Sequence, residues 1–281
     1  MVIAAFYVIG SDVRAETVDE PIAELDEQIS AIEHLDRRLT ISNEGATSPC
    51  VMVCDDLTHL FWVDGAVGDD KLAWKCSNDS LSTFTADQIL TTSFYSITNI
   101  DAVKCSSFPL AVVFQGQTTS SSEPTIYFLF MNDDEDWSSC YPLSNGNNPS
   151  ATTDGEAVFL LMNAIVDDVE SASIASIGLS DGNINATFIA ALPTSFIEGD
   201  IAYNDGSLDV SIIEKGSRSI YYLQLGTNGV LKTNPAIISN ECNGDYLESV
   251  TLNGDRYVFF IDDNSIKMAR CMGVPDSWVC H

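Results

Sequence analysis

Short runs of apolar and β-branched residues alternate with polar turn residues from about residue 46 to the end of the chain. The most apolar of these runs end in an acidic residue or a glycine, as in HLFWVDG from His59 and YVFFIDD from Tyr257. Runs of this length between turn residues predict β-strands, and a nearly continuous apolar run predicts a strand that is buried on both faces.

The strand pattern recurs as an internal repeat. Five segments share one plan, in which an apolar second strand is followed by a loop, a third strand with a polar turn, and an outer strand. The third strands begin, roughly 46 to 54 residues apart, at Leu72, Ile126, Ile174, Ile220 and Ile266. This spacing is typical of four-stranded blades that bury their faces by stacking around an axis. The sequence therefore predicts an all-β fold over residues 46–281, a β-propeller of about five four-stranded blades.

The first 45 residues follow a different pattern. Residues 2–10 are a short apolar run with small residues after it, which predicts that residues 1–15 are a signal peptide. Residues 19–39 predict one N-terminal α-helix, with Pro21 in its first turn and apolar residues at heptad spacing. Two interpretations of residues 16–45 stay open: a helix that packs on its own domain, or a segment through which copies of the protein form an oligomer.

The chain has 8 cysteines at wide spacing and no CxxC pair. A zinc site would need tighter clusters, whereas an even number of dispersed cysteines is typical of disulfides in an oxidising compartment. We therefore expect disulfides, with their pairing left open. The expected disulfide cysteines are Cys50, Cys54, Cys76, Cys105, Cys140, Cys242, Cys271 and Cys280.

Two triplets match the acceptor pattern for N-glycosylation. They place the acceptor at Asn78, in Asn-Asp-Ser, and at Asn185, in Asn-Ala-Thr. Together with the signal peptide and the cysteines, they predict a secreted or cell-surface glycoprotein. No stretch reaches the roughly 20 apolar residues that a membrane-spanning helix needs.

Acidic residues dominate the charge of the chain. There are 41 Asp and Glu against 12 Lys and Arg, giving a formal net charge of -29. Such a surface repels phosphate backbones and anionic membranes, so nucleic acid is excluded as a partner. Adjacent acids in turns are candidate ligands for calcium, which prefers oxygen donors, although none fits the EF-hand loop. The candidate calcium ligands are Asp69, Asp70, Asp262 and Asp263.

The turn after the third strand resembles a degenerate form of the Asp-box of sialidase-type propellers. Trp137 follows MNDDED, and Trp278 follows CMGVPDS, at the hairpin where that family has Ser or Thr, Asp, Gly and Trp. The resemblance implies a β-propeller, and in that family the motif is structural and lies away from the catalytic centre. A sialidase site would also need an arginine cluster, whereas only Arg218, Arg256 and Arg270 fall within the repeats. Sialidase activity is therefore not expected.

Aromatic residues beside acids are candidates for carbohydrate binding. A ring face covers the apolar C–H groups of a sugar while neighbouring carboxylates bind its hydroxyl groups. Trp137 is the strongest candidate for a ligand platform among these aromatic residues, because it directly follows an acidic turn. The full set of candidate ligand-binding residues is Trp137, Asp133, Asp134, Asp136, Trp278, Tyr221 and Tyr222.

No catalytic motif stands out from the sequence. A nucleophile elbow, an HExxH motif, a P-loop and a dinucleotide-binding motif are all missing. The sequence therefore predicts a secreted, non-enzymatic module that binds glycans or extracellular matrix. One alternative is a structural subunit of an extracellular filament or coat, assembled through its N-terminal segment. Another is a glycoside hydrolase that uses two carboxyl groups, which the sequence does not single out among so many acids.

Overall fold

The computed structural model describes residues 46–54, 57–66, 68–78, 83–166, 169–180, 183–192, 194–240, 242–252, 255–263, 265–271 and 278–280. The predicted signal peptide (1–15), the predicted helix (19–39) and the oligomerisation segment (16–45) lie outside these residues, so all three stay predictions.

The described residues form nineteen strands, which fall into five successive groups of four that we call repeats 1 to 5. Repeat 1 comprises β1 (Thr47–Cys54), β2 (Leu57–Asp64), β3 (Lys71–Ser77) and β4 (Gln88–Ile89). Repeat 2 comprises β5 (Ser96–Cys105), β6 (Phe108–Gln117), β7 (Thr125–Met131) and the first part of β8 (Tyr141–Thr153). Repeat 3 comprises the rest of β8, β9 (Val158–Val166), β10 (Val169–Ser180) and β11 (Asn183–Ala191).

The last two repeats have the same plan. Repeat 4 comprises β12 (Phe196–Asn204), β13 (Ser207–Glu214), β14 (Ile220–Gly226) and β15 (Ala236–Ser239). Repeat 5 comprises β16 (Leu247–Leu252), β17 (Asp255–Asp262), β18 (Ser265–Cys271) and β19 (Trp278–Cys280). Strands that follow one another within a repeat pair antiparallel, as in β12–β13–β14–β15.

Strand β8 is shared by two repeats. Residues 141–145 pair with β7, and residues 146–153 pair with β9, which joins repeats 2 and 3 into one seven-stranded sheet. Gly146 lies where the pairing changes, and a Cβ atom at this position would lie 2.4 Å from the carbonyl oxygen of Asn163. Because only glycine allows this close approach, the residue fixes the place at which the chain passes from one repeat to the next.

The hydrophobic core lies between successive repeats. Phe61 and Trp74 of repeat 1 belong to one buried cluster with Val112 of repeat 2, and Phe159 of repeat 3 belongs to another with Val210 of repeat 4. The second strands of repeats 1 to 4 are largely buried on both faces, as their continuous apolar sequences predict; in β13 seven of the eight residues are buried. In β17 of repeat 5 only two of the eight residues are buried, and the other residues are half-buried. Neither face of a repeat is covered without its neighbours, which is the packing that the predicted propeller requires.

The first strands of the repeats line up side by side. Strands β1, β5, β8, β12 and β16 contact one another in chain order. The prediction of an all-β fold is confirmed for the described part of the chain. None of the described segments forms a helix with the length and apolar character that crossing a bilayer needs.

The predicted disulfides are not formed. All eight cysteines lie in described residues, and no disulfide joins any of them. Strand register explains one case: Cys271 lies opposite Trp278 and Cys280 lies opposite Ala269, so the two cysteines of this hairpin do not face each other. Two thiols instead donate hydrogen bonds to carbonyl oxygens, Cys242 to Ile261 at 3.1 Å and Cys280 to Ile238 at 3.5 Å.

Candidate functional site

A β-bulge recurs near the beginning of four of the first strands. The pairing with the second strand shifts between Thr47 and Cys50, Thr98 and Asp101, Asn147 and Ser150, and Phe196 and Glu198. Three of the bulges contain a non-glycine residue with positive φ: Ser48 (51°), Asn99 (50°) and Asn148 (52°). Bulges bend a strand and change the direction of its side chains, and they are frequent beside functional sites. We call this side of the molecule the bulge end, and the side where first strands turn into second strands the hairpin end.

Hydrogen bonds connect the bulges of repeats 2, 3 and 4. Asn99 Nδ2 donates to Asn148 Oδ1 at 3.2 Å, and Asn148 Nδ2 donates to the carbonyl oxygen of Ile197 at 2.5 Å. The backbone nitrogen of Asn148 donates to Gln115 Oε1 at 3.1 Å. The three first strands are therefore held in a fixed arrangement just where their polar side chains begin.

Four carboxyl groups lie on the first strands of repeats 2, 4 and 5, and three of them follow a bulge directly. We call them the carboxyl cluster: Asp101 on β5, Glu198 and Asp200 on β12, and Glu248 on β16. All four residues are half-buried, so protein surrounds them while solvent still reaches them. No ion pair within the described part of the chain includes any of the four. A group of acids without a basic partner is costly to keep ionised and is therefore a strong candidate for a functional site.

Asp101 is held mainly by backbone donors. The nitrogens of Ala102 and Ala151 each donate to its carboxylate at 2.7 Å. Burial nevertheless raises the pKa of the Asp101 carboxyl to about 7, and the negative charge of Asp200 adds to the rise. This carboxyl group therefore changes its protonation state close to neutral pH.

Asp200 accepts hydrogen bonds from the two neighbouring repeats. Ser150 Oγ of repeat 3 donates to Oδ1 at 2.7 Å. From repeat 5, the backbone nitrogen and the hydroxyl of Ser249 donate to Oδ2 at 2.7 and 2.5 Å. Three donors therefore fix the position of this carboxylate at the meeting point of repeats 3, 4 and 5.

Glu198 and Glu248 lie in a more acidic environment. Burial raises the pKa of the Glu198 carboxyl to about 7, and the charges of Asp200 and Asp245 act in the same direction. Burial, followed by the charges of the other three cluster members, raises the pKa of Glu248 well above its usual range. The Tyr246 hydroxyl donates to Glu248 Oε2 at 3.5 Å. Burial and the neighbouring charges therefore favour the protonated form of Glu248, the form that can donate a proton.

Cys50, on the first strand of repeat 1, also lies near the carboxyl cluster. Burial raises the pKa of its thiol, and the charges of Asp101 and Glu248 are the next largest causes of the rise. The first and the last repeat are thus close enough for Glu248 to act electrostatically on Cys50. A thiol kept protonated in this way is a poor nucleophile, so the chemistry of the site belongs to the carboxyl groups.

Stability should depend on pH through this cluster. Asp101 and Glu198 titrate near pH 7 in the folded protein but near their ordinary values, 3.8 and 4.5, when unfolded. The native state therefore binds more protons between these values, and the free energy of unfolding should fall as the pH rises from about 4 to about 7. Urea denaturation at pH 5 and pH 8 should show a loss of about 2–4 kcal/mol from these two groups.

A variant comparison separates this effect from the general repulsion in an acidic protein. The double variant Asp101→Asn, Glu198→Gln should lose the part of the pH dependence that these two groups contribute, whereas Glu156→Gln, at an exposed turn, should keep it. Equal pH dependence in the wild type and the double variant would show that the two groups are not perturbed.

Trp137 lies at the hairpin end, away from the cluster. Its ring packs edge-on against Phe61 and Trp74, with centroid distances of 6.1 and 5.6 Å, and belongs to the core between repeats 1 and 2. The acidic residues of the preceding turn, Asp133, Asp134 and Asp136, are exposed. The oxygen Oδ1 of Asn132 accepts from the backbone nitrogens of two of them, at 3.0 and 2.9 Å. A ligand-binding role for this turn stays a prediction.

The other predicted aromatic platforms are also packing residues. Trp278 packs against Tyr222 with a centroid distance of 4.9 Å, and Tyr222 is 1% exposed. The Tyr222 hydroxyl donates to Asp209 Oδ1 at 2.7 Å. Tyr221 lies beside it on β14 and is half-buried against the core between repeats 3 and 4. The structure does not bring these residues together with Trp137.

The predicted calcium ligands are engaged with donors of the protein. Asp69 pairs with Lys71 at 3.4 Å, and Asp70 Oδ2 accepts from the backbone nitrogen of Ile97 at 3.0 Å. Asp262 and Asp263 accept hydrogen bonds from the backbone and the side chain of Asn243 at 3.3 and 3.1 Å. Within the described residues no group of three or more His, Cys, Asp or Glu side chains is arranged to hold a metal ion. Calcium binding at the two aspartate pairs stays a prediction.

Both predicted glycosylation acceptors are accessible. Asn78 follows β3, Asn185 lies on β11, and both residues are exposed. Glycosylation of these two asparagines stays a prediction, and so does the secreted location of the protein.

Sequence reasoning missed the carboxyl cluster. A signal was present, because Cys50, Asp101, Ser150, Asp200 and Ser249 recur at almost constant spacing along the chain. These positions lie one strand before the apolar runs that defined the repeat. Aligning the first strands, as well as the second and third, would have placed these five polar residues at equivalent positions.

No protein-family model matches the chain, and no characterised protein matches it by sequence. Solved structures do match its fold. A GH43_1 enzyme from Xanthomonas citri, solved with xylotriose, is 11% identical over 89% of this chain and 96% of that one, with a TM-score of 0.53. A PL25 ulvan lyase is 13% identical with a TM-score of 0.55, and the endosialidase of phage phi92 is 9% identical with a TM-score of 0.54.

The last two structures are longer than this chain. The match covers 84% of this chain and 66% of the ulvan lyase, and 80% of this chain and 54% of the endosialidase. At such low identity the likeness shows the fold and not the activity. The prediction that the protein is not an enzyme is wrong on this comparison, because these solved structures with the same fold are enzymes. The chain thus has a β-propeller fold, distantly related to that of sialidase-type and other glycan-active proteins.

Proposed function

We propose that the protein is a glycoside hydrolase whose reaction centre is the carboxyl cluster. The observation that carries the proposal is the position of Glu248 directly before Ser249, which donates two of the three hydrogen bonds that hold the side chain of Asp200. Burial raises the pKa of Glu248 as well. Most glycoside hydrolases need two carboxyl groups in different states, one to protonate the leaving oxygen and one to assist attack on the anomeric carbon. Different environments for the two groups supply those states.

Glu248 is the general acid in this proposal. Its proton passes to the glycosidic oxygen as the bond from that oxygen to the anomeric carbon breaks, so the leaving sugar departs as a neutral alcohol. Burial raises the pKa of Glu248, which favours the form that carries this proton. The negative charge that Glu248 acquires is then relieved by a proton from water.

Asp200 is the carboxylate that assists the attack. It acts on the anomeric carbon either directly or through a water molecule, and water ends up bound to that carbon in both cases. Its three donors, from Ser150 and Ser249, keep the carboxylate in one place. Asp101 adds charge to the same site and, with a pKa of about 7, adjusts that charge to the pH.

We also infer that the five repeats close into a ring of five blades, with the carboxyl cluster at the axis. The first strands contact one another in order from β1 to β16. The influence of Glu248 on the pKa of Cys50 supports contact between the last and the first repeat. A ring would place all five first strands around one opening.

A substrate screen tests the proposed activity. Aryl glycosides and oligosaccharides of several neutral sugars are incubated with the protein from pH 5 to pH 8, and new reducing ends are measured. We expect hydrolysis of at least one sugar type, with a rate that falls towards high pH as the general acid loses its proton. The double variant Glu248→Gln, Asp200→Asn, purified in the same way, should be inactive. Hydrolysis at the same rate by the double variant would assign the activity to a contaminant and refute the proposal.

A further inference from the structure

An open cleft lies beside the carboxyl cluster, at the bulge end of repeats 2, 3 and 4. Its volume is about 350 Å³, within the range of roughly 300–1,000 Å³ typical of ligand sites. Amide side chains, one ion pair and an apolar residue provide most of its lining: Gln115, Asn147, Asn148, Glu170, Lys215 and Ile197.

The cleft and the cluster are built from the same strands. Asn148 precedes Ser150 by two positions on β8, and Ser150 donates to Asp200 at 2.7 Å. Ile197, which accepts the hydrogen bond of Asn148, directly precedes Glu198 on β12. Strands β8 and β12 therefore contribute residues both to the cleft and to the cluster or its hydrogen-bond donors.

The polar groups of the cleft are already fixed in position. Asn147 Nδ2 donates to Glu170 Oε1 at 3.0 Å, and Asn147 Oδ1 accepts from Asn163 Nδ2 at 3.0 Å. Lys215 Nζ lies 2.5 Å from Glu170 Oε2, and the lysine side chain is 58% exposed. An amide nitrogen has two hydrogens and an ammonium group three, so these groups keep donors for a ligand after making the contacts named here. Amide groups and an ion pair that are held in position and still have free donors are suited to binding hydroxyl groups, because a hydroxyl group both donates and accepts hydrogen bonds.

The charge around the cleft disfavours an anionic ligand. Each of the three described arginines is paired with an aspartate: Arg218 with Asp245, Arg256 with Asp209, and Arg270 with Asp255. Lys215 is paired with Glu170, and four carboxyl groups lie next to the cleft. A sugar carboxylate would meet like charge here without an unpaired cation to offset it.

We propose that this cleft is a subsite for an uncharged sugar unit, adjacent to the unit whose bond is cleaved, so that the substrate is a neutral oligosaccharide or polysaccharide. The inference rests on the proposed hydrolase function and extends it to the substrate class. A ligand that occupies both the carboxyl cluster and the cleft must be longer than a single sugar. Affinity should therefore increase when the oligosaccharide is long enough to reach the cleft.

The test compares substrates that do and do not reach the cleft. Lys215→Gln removes the ion pair and one donor, and Lys232→Gln is the matched control, because Lys232 contacts Gly206 and Ser207 at the hairpin end. For Lys215→Gln we expect KM to rise about fivefold to tenfold with neutral tri- and tetrasaccharides, and to stay within about twofold with aryl monoglycosides. Lys232→Gln should leave both values unchanged.

A binding titration of the catalytically impaired variant Glu248→Gln completes the test. Neutral trisaccharides of xylose, glucose and mannose are compared with a trisaccharide of galacturonic acid. We expect a neutral trisaccharide to bind at least tenfold more tightly than the acidic one. Equal KM changes for short and long substrates, or preference for the acidic trisaccharide, would overturn the subsite while leaving the hydrolase intact. Failure of the wild type to cleave any glycoside would instead refute the proposed function.

Discussion

Replacing Glu248 by glutamine should lower kcat/KM about 10³-fold for glycosides with poor leaving groups, because general acid catalysis contributes roughly 10²–10⁴-fold to such reactions. Glutamine keeps the shape of the side chain but has no proton to give to the glycosidic oxygen. Nitrophenyl glycosides release a stable anion and need little protonation, so their hydrolysis should fall by less than about tenfold. The loss of activity that we expect for the wild type at high pH should disappear in the variant. Steady-state kinetics over a series of leaving groups measure all three effects.

The leaving-group series separates an acid from a residue that only shapes the site. Asp200→Asn should slow good and poor substrates alike, because assistance to the attack is needed for both. Glu156→Gln makes the same chemical change at an exposed turn and should be silent. If Glu248→Gln slowed nitrophenyl and alkyl glycosides equally, Glu248 would not be the proton donor.

The strand pattern of the repeats could be predicted because it is local. The run from Ile220 begins β14, and the run from Ile126 lies within β7 (Thr125–Met131). Burial on both faces leaves the second and third strands nearly continuous in apolar residues, so their sequences report their environment directly. The confirmed all-β fold rests on these strands.

The boundary between repeats 2 and 3 could not be located from the sequence. The sequence predicts an outer strand at SSCYPLS and leaves the first strand of the next repeat undefined. The structure has one continuous strand, β8, which changes partner at Gly146. A glycine between asparagines suggests a turn, whereas here the close approach of the Asn163 carbonyl requires it.

The candidate site depends on contacts between distant parts of the chain. Asp101 and Asp200 are separated by two repeats, and each first strand carries only one or two of the important polar residues. Polar residues on half-buried strands lack the apolar pattern that identifies the second strands. The sequence indicates Trp137 as a binding residue because acidic residues directly precede it, but its ring packs against Trp74 in the core. Proximity in sequence was therefore a poor guide to the chemistry of this fold.

A second group of polar residues has a structural role between repeats 4 and 5. The carboxylate of Asp209 is 4% exposed and accepts from the Tyr222 hydroxyl at 2.7 Å and from Gln224 Nε2 at 2.8 Å. Arg256 of repeat 5 donates from Nε to the same carboxylate at 2.8 Å and is 12% exposed. Burial raises the pKa of the Tyr222 hydroxyl, and the charge of Asp209 adds to the rise, so this hydroxyl remains a donor. With Asn204 Nδ2, which donates at 3.3 Å, one buried carboxylate thus satisfies four donors, and Arg256 is the one that crosses the boundary between the two repeats.

Asp209→Asn should therefore lower the free energy of unfolding by about 3–5 kcal/mol, the usual cost of removing one partner from a buried ion pair. The amide has a single acceptor oxygen, so at least one of Tyr222, Gln224 and Arg256 would lose its partner inside the protein. Asp255→Asn is the matched control, since it breaks an Arg–Asp pair of the same repeat whose side chains are 24% and 37% exposed. That change should cost less than about 1 kcal/mol. Urea denaturation at pH 7, followed by tryptophan fluorescence, measures both values, and equal losses would mean that burial of the Asp209 pair does not determine its contribution to stability.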